Sequence, residues 1–332
     1  MYFSFIIPVY NRPDEIEELL QSFATLTFEN IFEVVIIEDG SSITCKHIIK
    51  KYALDLDISY YFKENSGPGD SRNFGMLKAK GDYFLILDSD CILPKNYLLE
   101  VASSLKSEFV DCFGGPDKAL DSFSDVQKAI NFTMTSFLTT GGIRGGSEKL
   151  NKFQPRSFNM GLSKKAFQAS KGFGNIHPGE DPDLSIRLWK LGYQTKLIKE
   201  AFVYHKRRID WNKFKTQVNK FGKARPILNK WYPEHAKITY WFPTLFCLGF
   251  VMSILILVFK TPIFFILYLF YFSALFIASL IENKSFKIAF YALIATFYQF
   301  YGYGKGFLIS YFNIFILKKQ PQEVHPELFF KI

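Results

Sequence analysis

Three pairs of aspartates separated by one residue occur in the chain: Asp55/Asp57, Asp88/Asp90 and Asp181/Asp183. Such short spacings recur by chance, so context has to choose among them. The first precedes an apolar run and reads as a solvated turn. The second follows "YFLIL", which puts two carboxylates where an apolar strand ends, with a low-dielectric interior behind them. Like charges there repel unless a cation neutralises them, and oxygen-rich sites suit Mg²⁺ or Mn²⁺ bound together with a diphosphate. The third opens the helical pattern "GEDPDLSIRLWKLGY", with Asp181 expected as N-cap, Pro182 at the first position, and Leu184, Leu188 and Leu191 on one face.

Positioning these groups requires a scaffold, and the first 110 residues alternate strand and helix patterns. "YFSFIIPVY" reads as a buried strand, after which Ile16, Leu19, Leu20 and Phe23 recur at helical spacing. "IFEVVIIEDG", a helix around 43–53, "ISYYFKE", a helix opening near "GPGDSRNFGM", and "DYFLILDSD" follow. Near-continuous apolar strands between helices predict an α/β fold with a mostly parallel, Rossmann-like sheet covered on both faces. Ligands of such sheets bind at the carboxyl ends of the strands. Those ends are Pro8–Asn11, Glu38–Ser41, Asn65–Gly69 and Asp88–Asp90, so polar and acidic groups gather at one edge. "FVDCFGGP" and "PRSFNMGLS" read as further strands, and "TKLIKEAFVYH" as one that ends at His205. Residues 117–154, including the Gly-rich "TTGGIRGG", have no clear period and are expected to include a mobile loop.

The rest of the chain has a different character. Phe (38) and Tyr (18) dominate the apolar set, and the aromatic weight thickens toward the end. The formal net charge of +9 resembles a nucleic-acid signature, but its location argues against that partner. Between Lys206 and Lys237 lie ten Lys/Arg against only Asp210 and Glu234. A basic block directly before long uncharged runs is what a juxtamembrane cytoplasmic segment carries. Within it Trp211, Phe214, Val218 and Phe221 mark a basic amphipathic helix, expected to lie on a membrane surface. Uncharged runs at 238–259, 261–281 and 288–304, the last extended by 306–317, predict about three membrane spans. The four cysteines, Cys45, Cys91, Cys112 and Cys247, have no metal-ligand spacing, and the first residues read as a strand and not as a signal peptide. Both features fit a cytoplasmic catalytic part on an inner (plasma) membrane, multi-pass anchor. The expected organisation is a catalytic domain at 1–205, a basic interfacial segment at 206–237, membrane helices at 238–317 and a tail at 318–332.

Five motifs in fixed order, "FSFIIPVYNR", "VVIIEDGSS", "GPGDSRNFGM", "LILDSD" and "GEDPDLSIRL", resemble those of family 2 glycosyltransferases of the GT-A fold, over residues 1–205. The resemblance implies a nucleoside-diphosphate sugar donor, inversion at the anomeric centre and a role in bacterial polysaccharide or glycolipid assembly. Carried over by position, it implies that Pro8 and Tyr10 border the nucleoside and that Asp39 bonds the base or ribose. Arg72 would contact the nucleotide side of the pocket, and Asp88 the ribose or a metal-bound water. Asp90 and His205 would ligate Mn²⁺ or Mg²⁺. Asp181 matches the catalytic base, with Glu180 and Asp183 as competitors for that role.

One departure bears on the acceptor. Processive relatives carry Gln-x-x-Arg-Trp after the base, and the corresponding stretch here is "QVNKF", Gln217–Phe221. Lys in place of a planar guanidinium and Phe in place of indole weaken a polymer-holding platform. Addition of one or a few sugars to a membrane-associated glycan or lipid is therefore expected over processive synthesis. A metal-dependent nucleotidyl or phosphosugar transferase is the other alternative; the chain has neither a Walker A loop nor G-x-G-x-x-G after its first strand.

Overall fold

The computed structural model describes residues 1–28, 31–141, 153–206 and 210–330. The chain divides into two compact units, one of Met1–Lys118, Gly146–Lys206 and Phe329–Ile332, the other of Ala119–Gly145 and Arg207–Leu328.

In the first unit the strands are β1 (Phe3–Val9), β2 (Phe32–Asp39), β3 (Asp57–Lys63), β4 (Tyr83–Leu87) and β5 (Cys91–Ile92). They continue as β6 (Cys112–Gly114), β7 (Asp117–Lys118), β8 (Asn159–Ser163), β9 (Thr195–Leu197) and β10 (Val203–His205). The main sheet has the order β3-β2-β1-β4-β8-β6-β9, and β5-β10-β7 form a small second sheet. Strands β3, β2, β1 and β4 run parallel, with Pro8 level with Ile37 and Asp39 level with Lys63. Their carboxyl ends therefore share one edge, as the apolar runs predict.

Burial on both faces explains why those runs are continuous. Along β4, Tyr83, Leu85 and Leu87 face the core under helices Pro13–Phe23, Lys46–Tyr52 and Tyr97–Ser107. Phe84 and Ile86 face the other core, under helices Pro68–Lys78, Lys164–Ser170 and Glu180–Lys190. Burying each such side chain stabilises the fold by about 1.5–3 kcal/mol.

One strand runs against its neighbours, within a mostly parallel sheet, and one strand expectation needs correction. Strand β8 runs antiparallel to both β4 and β6. It returns after the long excursion that follows β7, and an antiparallel neighbour needs no crossover helix. The stretch "TKLIKEAFVYH" is two strands in different sheets, β9 beside β6 and β10 between β5 and β7. The chain bends between them where the buried Ala201 carbonyl accepts from Asn159 Nδ2 at 2.7 Å.

The second unit is helical. Helix Asp125–Thr135, capped by a reciprocal Ser124/Gln127 box, occupies part of the stretch in which the sequence shows no clear period; the Gly-rich residues 142–152, where a mobile loop is expected, lie outside the described residues. Phe214 and Val218 of helix Trp211–Trp231 are buried with Ile130, Met134 and Ala295. Phe214 and Val218 of the helix's apolar stripe are thus covered by protein, while Trp211 and Phe221 of the same stripe are half-buried. Helix Phe286–Tyr311 crosses it closely: a Cβ at Gly222 would stand 2.1 Å from the Tyr303 carbonyl, and one at Gly306 2.4 Å from that of Asn219. Two segments, Ile238–Leu257 and Ile263–Asn283, are long and apolar enough to cross a membrane. The third uncharged run lies in helix Phe286–Tyr311, whose Ala289, Ala292, Ala295, Phe300 and Phe307 are buried within the unit.

Candidate functional site

Beyond β4, the two carboxylates that raised the question of a neutralising cation each meet an arginine. Asp88 Oδ1 accepts from Arg72 at 2.7 Å, and Asp90 Oδ2 pairs with Arg12. Guanidinium charge thus offsets the repulsion that sequence assigned to a metal alone. Burial works against the Arg12 cation, but Asp90, with Glu15 and Asp88, outweighs it and holds its pKa above the ordinary value. Arg72 is itself buried and spans the site, its second amino group lying 3.2 Å from Glu180 Oε1. Its Nε has no acceptor among the described residues.

Asp90 also faces His205, with Oδ1 3.1 Å from Nε2, and on the other side of the ring Asp117 Oδ2 lies 3.7 Å from Nδ1. Phe158 stacks on the imidazole with centroids 4.7 Å apart, which sets the plane of the ring. Ligand atoms of Asp90, Cys91 and His205 all lie within 4.8 Å of one another. Burial pushes the Cys91 thiol far above its usual pKa, and its Sγ is 3.4 Å from the Phe158 carbonyl, so it is a poor ligand for a hard cation. A carboxylate oxygen and an imidazole nitrogen in such proximity fit one side of an Mn²⁺ or Mg²⁺ sphere, whose remaining positions suit phosphate oxygens and water.

Asp39, expected on the base or ribose, is turned toward its neighbouring loop. Its Oδ1 accepts from Lys63 Nζ at 2.9 Å and Ser66 N at 3.0 Å, and its Oδ2 from Gly67 N at 3.0 Å. Asn11, with φ +54°, joins the β1 and β2 ends: its Oδ1 accepts from the amides of Ser42 (2.8 Å) and Ile43 (3.0 Å). Pro8 is half-buried at the end of β1, and the Tyr10 ring just beyond it is exposed.

The acidic helix does not begin as the sequence predicts. Helix Glu180–Lys190 is preceded by Gly179 at φ +130° with no side-chain cap, so Asp181 sits at the second helical position and not at the N-cap. Its three acids have separate environments. Glu180 meets His177 Nδ1 at 2.8 Å as well as Arg72. Burial works to raise its pKa, but these two bases hold it below the ordinary range. Asp183 Oδ2 accepts from Arg187 Nε at 3.1 Å and NH2 at 2.8 Å, while Arg187 also donates to the Gly172 carbonyl at 2.6 Å. Asp181 is raised, first by burial and then by the charge of Glu180, with Arg72 and Arg156 pulling the other way. Its Oδ1 is buried with no donor among the described residues.

The structure therefore brings together Arg72 with Asp88, Asp90 with His205, and Asp181 beside the Arg72–Glu180 pair, whereas Asp39 serves the 63–67 loop. Sequence reasoning did not single out Arg12, Asp117, Phe158 or His177. Arg12 lies inside the "YNRPDE" turn and Asp117 follows a strand and Gly-Gly-Pro, so strand-end position was the available signal for both.

Comparison with known proteins bears on the family and the fold. A model of the family described as glycosyl transferase family 2 matches residues 4–170, half of the chain. An "uncharacterized glycosyltransferase" of Rickettsia bellii is 42% identical over 95 residues, 29% of this chain and 14% of that protein. Poly(ribitol-phosphate) beta-N-acetylglucosaminyltransferase TarS of Staphylococcus aureus strain Mu50 is 36% identical over 114 residues, 33% of this chain and 20% of TarS. The match thus spans a fifth or less of either relative. Among solved structures, S. aureus TarS superposes with TM-score 0.52 and 20% identity over 72% of this chain and 40% of that one. Mannosyltransferase PcManGT of Pyrobaculum calidifontis, in complex with GDP-Man and Mn²⁺, gives TM-score 0.57 and 14% identity over 96% and 88%. The structural likeness supports a GT-A fold with a mostly parallel sheet, and, with the family model covering four of the five sequence motifs, the chain belongs to glycosyl transferase family 2.

Proposed function

We propose that residues 1–205 transfer a sugar, with inversion, from a nucleoside-diphosphate sugar to a hydroxyl of a membrane-associated glycan or lipid. The observation that carries this reading is Asp181: a half-buried carboxylate with a raised pKa whose buried Oδ1 has no donor among the described residues, next to two acids already committed to His177, Arg72 and Arg187. Asp181 takes the proton of the acceptor hydroxyl as that oxygen bonds to the anomeric carbon. The bond from that carbon to the diphosphate breaks, and the nucleoside diphosphate leaves with the electron pair. Asp90 and His205 are the residues that would hold a divalent cation, which when bound supplies Lewis-acid stabilisation of the departing diphosphate. PcManGT, described with GDP-Man and Mn²⁺, supports both the donor class and the cation. Pro8, Tyr10 and Asp88 are proposed to face the donor, with Asp39 and Arg72 fixing the walls of its pocket.

The stretch Gln217–Phe221 supports limited over processive addition. Val218 is buried, and Asn219 Nδ2 donates to the Gly302 carbonyl at 2.9 Å, so this stretch is engaged in helix packing. The purified protein, screened against a panel of nucleotide sugars with and without Mn²⁺, is expected to release nucleoside diphosphate from one of them in a metal-dependent way. Release from none across the panel would remove the assignment.

The membrane part of the proposal places Ile238–Leu257 and Ile263–Asn283 across the inner membrane, with the basic residues before them and the catalytic unit in the cytoplasm. Protease added outside intact cells is then expected to leave residues 1–230 uncut. Cleavage there would reverse the orientation.

A further inference from the structure

The chain returns to the first unit after its helical part, at a point none of the sequence motifs reaches. Phe329 forms an isolated antiparallel bridge with Ile176, and the Phe330 amide donates to the Asn175 carbonyl at 3.1 Å. The Phe330 ring then lies directly over Gly67, where an added Cβ would meet three ring carbons at 2.3–2.5 Å. Gly67 has φ +93°, a backbone setting that L side chains rarely adopt, so both the turn and the ring above it demand glycine. On its other side the ring stands 6.1 Å, centroid to centroid, from the His177 imidazole. One aromatic side chain thus packs against two loops more than 100 residues apart in the catalytic sequence.

Each loop leads straight to the site. The Gly67 amide donates to Asp39 Oδ2, and Gly67 precedes helix Pro68–Lys78, which carries Arg72. His177 bonds Glu180, which pairs with Arg72 and adjoins Asp181. Between the loops is a cavity walled by Ser66, Asp70, Asn73, Phe173, His177 and Phe330. Beyond the cavity the two segments are tied by Asn73, whose Oδ1 accepts from Phe173 N at 2.8 Å and whose Nδ2 donates to the Phe173 carbonyl at 2.9 Å. At the Gly67 and His177 ends the ring packs against both loops beside open space, where loss of packing atoms is not made good by the surroundings.

We infer that Phe330 is a positioning residue for sugar transfer, clamping the 65–67 and 174–179 loops so that Asp39's amide partners and the His177–Glu180 pair stay in register. The inference rests on the transferase reading for its catalytic consequence, but not for its structural one. Hydrogen exchange of the full chain in detergent, without donor, separates the two. Phe330→Ala is expected to speed exchange of the amides at 66–67 and 174–179 while the β1, β2 and β4 amides stay slow. Phe330→Tyr, which keeps the ring, is expected to exchange like the parent. Should the alanine variant not fold, Phe330→Leu gives the same test, because it keeps apolar volume without a flat ring. Unchanged exchange in both loops, or an equal rise across the sheet, would overturn the inference.

With a donor taken from the nucleotide-sugar panel, Phe330→Ala should lower kcat by about 10- to 100-fold, the order that a misplacement of about 1 Å costs, and should raise the donor KM. A fall in kcat at constant KM, the mark of less folded enzyme, would overturn it, as would failure of Phe330→Tyr to restore both constants. If no nucleotide sugar turns over at all, the transferase reading fails while the exchange result still decides whether the clamp exists.

Discussion

Asp181→Asn is expected to slow sugar transfer by about 10²–10⁴-fold, the usual contribution of a positioned general base, while changing donor affinity no more than a few-fold. The substitution keeps shape and burial and removes only the ability to take a proton. Neither neighbouring acid can substitute. Glu180 is held as a carboxylate by His177 and Arg72, and Asp183 is bound into the Arg187 network that braces the 170–172 loop. A general base works only when deprotonated. Because burial and the charge of Glu180 raise the pKa of Asp181, the acid side of the kcat–pH profile should fall at a higher pH than for an ordinary aspartate, with activity present above that pKa and lost below it. In Asp181→Asn that limb should vanish from the residual rate. A large loss of donor affinity with little loss of turnover of bound donor would make Asp181 a binding residue instead.

The local pattern of the sequence carried the sheet and its acidic edge because both follow from periodicity and strand ends. β1, β2 and β4 are buried on both faces and therefore read as unbroken apolar runs; their parallel course puts Asp39 and Asp88 at one edge. What local pattern does not encode is pairing between distant segments. Nothing near Asp88 and Asp90 says that Arg72 and Arg12 will neutralise them, because those contacts depend on which helix start meets which strand end. For the same reason Asp181 looked like an N-cap. The residue type and the following proline fit that role, but the positive φ of Gly179 lets the helix begin one residue before Asp181. The return of Phe330 lies 150 residues and more from its partners, beyond the reach of any periodicity. In the basic segment, amphipathicity identified the helix but not its cover: an apolar stripe looks the same whether lipid or helix Phe286–Tyr311 lies against it.

Asp90→Asn tests the other half of the chemistry and should lower the affinity for Mn²⁺, measured by calorimetry or EPR on the full chain with nucleoside diphosphate present, by at least about 100-fold. The asparagine preserves volume and leaves one neutral oxygen where a charged one faced His205 Nε2 at 3.1 Å. It also takes away the ion-pair partner of Arg12, so a guanidinium whose charge was offset becomes a less compensated positive charge beside the proposed cation site. Both changes act in the same direction on a divalent ion, which is why the effect should exceed that of His205→Ala, where Asp90 and its counter-charge remain. Metal-dependent release of nucleoside diphosphate should fall in parallel, and added Mn²⁺ should restore part of it only at far higher concentration. Arg12→Gln separates the contributions: it removes the competing cation but keeps the carboxylate, so Mn²⁺ affinity should hold or rise. Undiminished Mn²⁺ affinity in Asp90→Asn would mean that the Asp90–His205 contact is only an internal ion pair, and the cation, if the transfer uses one, would have to be held elsewhere.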